Sequence, residues 1–207
     1  MLRPPLRYVA LGDSYTIGTS VAPTERWPDQ LVAGLAALSP GAPPLVLVGN
    51  LAVNGWTSAD VIRGQLPRLW PLMPDFVTLL IGVNDVVQGV PPEAYRRNVA
   101  SILDALLARL PGDRLLTVST PDYTVTPMGA DYGDPTLQGR GIRAANAVMA
   151  EASAARSIAH VDIHDLSLLA ATDHSLVARD GLHPSGAQYA RWVERIVPVV
   201  TGLLAAS

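Results

Sequence analysis

Ser14 closes the segment Tyr8-Val-Ala-Leu-Gly-Asp-Ser14, and far along the chain Asp180 and His183 share the tetrapeptide Asp180-Gly-Leu-His183. A serine hydroxyl is a weak nucleophile that needs a base, and a neutral imidazole serves as one near pH 7. His183 needs a partner at its other ring nitrogen, to fix the tautomer and stabilise the imidazolium formed in the reaction. Asp180, three residues earlier, can reach it. Acyl transfer also needs donors aimed at the developing oxyanion. The backbone N–H groups of Ser14 and Gly55 and the side-chain amide of Asn84 can supply them. A glycine at 55 removes the Cβ that would hold a substrate away from the backbone. Together these residue types fit acyl transfer through an acyl-enzyme.

Two absences narrow the chemistry. The 207 residues include no cysteine and no lysine; all fifteen basic residues are arginine. Cysteine nucleophiles, disulfides and thiolate metal sites are excluded, as are Schiff-base lysines, the P-loop lysine and Ser–Lys mechanisms. No cofactor and no metal are expected. With 49% apolar and 16% charged residues the chain is a compact globule, expected to form a single domain over 1–207. The net charge is −3, the pI is near 5.7, and no basic run exceeds Arg96-Arg97. Neither nucleic acid nor an anionic membrane surface is therefore expected as a partner, and the partner that suits the acyl-transfer residues is a small-molecule ester. No apolar run approaches the roughly 20 residues of a spanning helix, so no integral membrane segment is expected. Met1-Leu-Arg-Pro-Pro-Leu-Arg lacks a signal peptide's apolar core, which predicts a cytoplasmic location. The oligomeric state is left open.

The elements that must position these residues follow from periodicity. Arg7–Leu11, Leu45–Val48, Phe76–Ile81, Leu115–Ser119 and Ile158–Ile163 are apolar at nearly every position, as in strands buried on both faces of a parallel sheet. Between them Trp27/Leu31/Leu35/Leu38, Tyr95/Val99/Ile102/Leu106/Leu110 and Ile142/Ala145/Met149/Ala152 recur at helical spacing. Thr57-Ser-Ala-Asp60 has the form of a capping box. Pro184 marks the start of a last helix, and Pro198 is expected to kink or end it. Successive βα units predict an α/β fold: a flavodoxin-like three-layer α/β/α sandwich around a five-stranded parallel sheet of order 2-1-3-4-5. In that order Ser14, Gly55 and Asn84 cluster at adjacent strand ends, beside the topological switch point.

These residues carry a resemblance. Val9-Ala-Leu-Gly-Asp-Ser-Tyr-Thr-Ile-Gly18, Asn50-Leu-Ala-Val-Asn-Gly55, Gly82-Val-Asn-Asp85 and Asp180-Gly-Leu-His183 resemble, in order, the four sequence blocks of the SGNH (GDSL) hydrolases. The resemblance spans nearly the whole chain and implies Ser14 as nucleophile, Gly55 and Asn84 as oxyanion donors, and Asp180 and His183 as the rest of the triad. It covers esterases, thioesterases, lysophospholipases and sugar deacetylases alike. Tyr15 stands where the name motif has leucine, and Asn54 where the residue before the second-block glycine is often serine. A non-catalytic ligand-binding module on the same scaffold is the reading from another class.

Other signals are weaker. Gly139-Arg-Gly-Ile-Arg-Ala144 matches a dinucleotide fingerprint, but no strand precedes it, and the start of a helix explains its glycines. His160, Asp162 and His164 alternate as metal ligands on one strand face could, or as the solvent face of an edge strand. His174 is a rival base, better read as a surface residue. Trp27, Trp56, Trp70 and Trp192 read as packing residues, with Trp56 closest to the expected site. Asp13 and Asp85 are expected to hold loops through backbone hydrogen bonds.

Overall fold

The computed structural model describes residues 4–38 and 44–205. The elements run β1 (Leu6–Gly12), α1 (Ser14–Ile17), α2 (Trp27–Leu38), β2 (Leu45–Asn50), α3 (Ser58–Asp60), α4 (Leu66–Leu69), β3 (Phe76–Leu80), α5 (Val83–Val87), α6 (Pro92–Leu107), β4 (Leu115–Val118), α7 (Pro135–Ala154), β5 (Ala159–Val161), α8 (His164–Leu168) and α9 (Gly186–Ala205). A π-helical turn, Val61–Gln65, joins α3 to α4. The sheet is parallel throughout with the expected order β2-β1-β3-β4-β5. Tyr8 pairs with Leu47 and Val9 with Gly49, so Val48 is an extra residue bulged out of β2.

Alternation along the strands sorts the core into two layers. Tyr8, Ala10, Phe76, Leu80, Leu116 and Val118 face α2 and α9, where they meet Trp27, Leu31, Tyr189, Trp192 and Ile196. Val9, Leu11, Val77, Leu79, Ile81 and Leu115 face the other way, toward Leu69 of α4, Val99 and Ile102 of α6 and Met149 of α7. Helices therefore cover both faces, as an all-parallel sheet requires. Trp27 and Trp192 are fully buried, and Trp70 lies under the Arg109 guanidinium at 4.7 Å, so all three pack as expected. The side chain of Leu38, expected on the buried face of α2, lies outside the described residues.

Three local expectations meet the structure differently. The Asp60 carboxylate reaches back to the Thr57 N–H (2.9 Å) and hydroxyl (2.7 Å), so the capping box forms, but the helix it opens is interrupted by the π turn. Pro198 does not end the last helix, which continues to Ala205; burial of Trp192, Ile196, Val200 and Leu204 offsets the one backbone hydrogen bond that proline removes. Gly139-Arg-Gly-Ile-Arg-Ala144 does not open a helix. It lies inside α7, which begins at Pro135 with the Asp134 carboxylate accepting from Leu137 N–H at 2.8 Å. Its glycines serve packing instead.

At Gly141 a Cβ would fall 2.6 Å from Val86 Cγ1 of α5. In an open helix, alanine for glycine gains about 0.5–1 kcal/mol, whereas overpacking a stiff β-branched neighbour costs about 1–3 kcal/mol. Gly141→Ala is therefore expected to lower stability by about 1 kcal/mol in urea denaturation. A stabilised variant would show that α7 and α5 are not in close contact.

Candidate active site

The site begins where β1 stops. Gly12 has φ +154°, and a Cβ there would lie 2.4 Å from the Leu80 carbonyl oxygen and 2.5 Å from Thr16 Oγ1. Its peptide groups are met by the fully buried Gln65: Gly12 N–H donates to Oε1 (2.9 Å) and Nε2 donates to the Gly12 carbonyl (2.6 Å). Asp13, also fully buried, caps α1 by accepting from Tyr15 N–H at 3.0 Å. Ser14 is thus the first residue of α1, 7% exposed.

The loop after β2 is fastened to this turn and to α5. Asn50 Nδ2 donates to the Thr16 carbonyl (2.7 Å), and Thr19 Oγ1 donates to Asn54 Oδ1 (2.7 Å). Gln88 Nε2 donates to the Gly55 carbonyl (2.8 Å) and Asn84 Nδ2 to the Trp56 carbonyl (3.0 Å). Asp85 accepts from Ser58 N–H (2.8 Å) and Oγ (2.5 Å), while Asn98 Nδ2 donates to the same Ser58 Oγ (3.0 Å). Asp13 and Asp85 thus hold loops as expected. Among the described residues, the N–H groups of Ser14 and Gly55 have no hydrogen-bond acceptor. Asn84 Nδ2 also lies 3.4 Å from Asp13 Oδ2, a longer contact than the one to Trp56 and the easier of the two to re-aim.

His183 arrives from the loop between α8 and α9. Its Nδ1 is 2.6 Å from Asp180 Oδ2, and its ring lies against that of Tyr15, centroids 5.4 Å apart. The tyrosine at the motif's usual leucine position therefore props the imidazole. Ser14, Gly55, Asn84 and His183 line one cavity of about 200 Å³, with Tyr15, Asn54, Val83, Val87, Tyr123, Tyr132 and Leu182 forming the rest of its wall. Asp180 sits behind His183, outside the lining.

The rival signals go elsewhere. His174 is exposed and does not line the cavity. His160 Nδ1 pairs with Thr117 Oγ1 (2.9 Å), Asp162 Oδ1 accepts from Ser119 Oγ (2.7 Å), and His164 Nε2 faces Asp122 at 3.5 Å. Among the described residues, no group of three or more His, Asp or Glu is placed to hold a metal. The Trp56 ring packs on Gly64 rather than on the cavity. Sequence reasoning missed Gln65, Gln88 and Ser20, whose hydroxyl donates to Asp180 Oδ2 at 2.6 Å.

Residues 10–191 match the model of the GDSL-like Lipase/Acylhydrolase family. The chain belongs to this family. Solved structures share the GDSL fold seen here. A lipase/acylhydrolase from Enterococcus faecalis superposes with a TM-score of 0.76 at 22% identity, covering 96% of this chain and 97% of that one. The acetylxylan esterase Axe2 from Geobacillus stearothermophilus superposes with a TM-score of 0.72 at 17% identity, covering 97% and 96%. A curated arylesterase from Vibrio mimicus is 29% identical over 104 residues, a match spanning 48% of each sequence and so about half the relative's length. No helix among the described residues of this GDSL-like chain is long and apolar enough to cross a membrane.

Burial raises the Asp13 carboxyl to about 8, against the lowering effect of the Tyr15 N–H bond. An unfolded aspartate titrates near about 3.9, so folding favours the protonated acid. The stability that Asp13 contributes is therefore lost progressively as pH rises from about 4 to about 8. Asp13→Asn keeps the acceptor for Tyr15 and cannot ionise. Urea midpoints measured across that range are expected to shift in favour of the variant as pH rises; a constant difference would mean that Asp13 is ionised throughout.

Proposed function

We propose that the chain hydrolyses small uncharged carboxylic esters through an acyl-enzyme, with Ser14 as nucleophile, His183 as base and Asp180 orienting the base. The observation that carries this reading is that Ser14, Gly55, Asn84 and His183, drawn from four separate segments of the chain, meet in one cavity while Asp180 holds Nδ1 of the histidine at 2.6 Å. With Nδ1 so engaged, Nε2 is the nitrogen left to take the Ser14 proton and later return it to the leaving alkoxide. The free N–H groups of Ser14 and Gly55, with Asn84 Nδ2 turned from Asp13, supply the oxyanion donors. Water then attacks the acyl-enzyme by the same route in reverse.

The wall supports a substrate class. Among its described residues none is Asp, Glu or Arg, so nothing there pairs with a phosphate or a carboxylate headgroup. Val83, Val87, Leu182 and the edge-on pair Tyr123–Tyr132, 5.9 Å apart, suit a short acyl chain or an aromatic leaving group. The names of an arylesterase and an acetylxylan esterase among similar proteins accord with a small acyl group.

On p-nitrophenyl esters, activity is expected to peak at acetate to butyrate and fall beyond. Ser14→Ala is expected to lower kcat at least about 10³-fold with an unchanged melting temperature. Asn84→Ala should lower kcat about 10²–10³-fold with KM little altered. Near wild-type turnover by the Ser14 variant would overturn the assignment.

A further inference from the structure

The turn that follows α1 reaches both flanks of the site. Thr19 bonds Asn54 on one side, and on the other the Ser20 hydroxyl bonds Asp180. We propose that Ser20 is a positioning residue for the base, its hydroxyl fixing the Asp180 carboxylate in the orientation that His183 Nδ1 needs and sharing its negative charge. The inference rests on the reading of Ser14, Asp180 and His183 as an acyl-transfer triad.

Three observations carry it. First, Asp180 uses both oxygens fully. Oδ1 accepts from the N–H groups of Leu182 (2.9 Å) and His183 (3.0 Å), and Oδ2 accepts from His183 Nδ1 and Ser20 Oγ, each at 2.6 Å. The two backbone bonds come from Asp180's own loop. Among the described residues, Ser20 is the one that hydrogen-bonds the carboxylate from the turn following the nucleophile's helix. Second, Ser20 holds φ +66°, a left-handed conformation in which a residue with a Cβ is strained, and among the described residues Asp180 is the one partner of its hydroxyl. Third, the carboxylate is held at about 2: burial pulls it upward, and the hydrogen bonds, Ser20's foremost, outweigh that pull.

Removing the hydroxyl leaves more of the carboxylate's charge to Nδ1–H and so favours the imidazolium. The acidic limb of kcat/KM then moves to higher pH. Among the described residues, Tyr15 lies against the His183 ring, Tyr15 and Tyr189 interact electrostatically with Asp180, and Tyr123 and Tyr132 line the cavity with His183. Burial raises the Tyr15, Tyr123 and Tyr189 phenols above their ordinary value, and all of these groups, with Asp13 near 8, are common to wild type and variants.

The test uses Ser20→Gly, which suits a positive φ, and Ser20→Ala, which keeps a Cβ. Both are assayed with p-nitrophenyl acetate across pH, beside Ser14→Ala and His183→Ala. Both Ser20 variants are expected to lose roughly 3–10-fold in kcat/KM, mostly in kcat, with the acidic limb displaced upward and the glycine variant melting no lower than wild type. A wild-type rate and pH profile in both, with Ser14→Ala and His183→Ala inactive, overturns the role of Ser20 alone. A change confined to the glycine variant overturns it too, because backbone freedom rather than the hydroxyl is then responsible. An active Ser14→Ala overturns the triad and this inference with it.

Discussion

β1 lies between β2 and β3, and the chain must leave it abruptly to point a serine at solvent. Turning there frees a strand's last peptide groups in a place that water does not reach, and buried amides without partners are costly. The Gln65 carboxamide resolves this by matching the N–H and C=O of Gly12 together, as a neighbouring strand would. With Gly12 so held, Asp13 caps α1 and Ser14 stands at the cavity floor. The position of every other site residue is defined relative to that turn.

The neighbouring loops are tied to it in sequence. Asn50 and Asn54 anchor the second loop to Thr16 and Thr19, and α5 then fastens the same loop through Gln88, Asn84 and the Asp85–Ser58 pair. Asn84 is therefore both a donor at the cavity and a strut, and its longer contact to Asp13 gives it freedom to exchange one acceptor for another. The histidine loop is attached through Tyr15 below the ring and Ser20 behind the carboxylate. Such cross-bracing holds reacting groups in register without a rigid element beneath each one.

The sheet order and the meeting of Ser14, Gly55, Asn84 and His183 were legible because segments that follow strands in an open α/β fold carry their polar residues in short, recognisable runs, whereas the wall residues Tyr123, Tyr132, Val87 and Leu182 gave no such signal. Residues whose meaning depends on a distant partner were not. Gln65 sits 53 positions from Gly12, inside a π turn that no periodicity announces, and Ser20 is separated from Asp180 by 160. Gly139 and Gly141 match a nucleotide fingerprint by spacing and read as the start of a helix, but they lie inside α7, where its approach to Asp122 and Val86 explains them. Pro198 does not end its helix for the same kind of reason, since its local cost is outweighed by the core that α9 buries.

The proposed chemistry depends on His183, held by Asp180, activating Ser14. Covalent labelling with a fluorophosphonate, followed by peptide mapping of the intact enzyme and of His183→Ala, tests it most directly. One adduct on the peptide bearing Ser14, with labelling of the variant slowed by orders of magnitude, is the predicted result. An adduct on another residue, or labelling of His183→Ala at the wild-type rate, would contradict it.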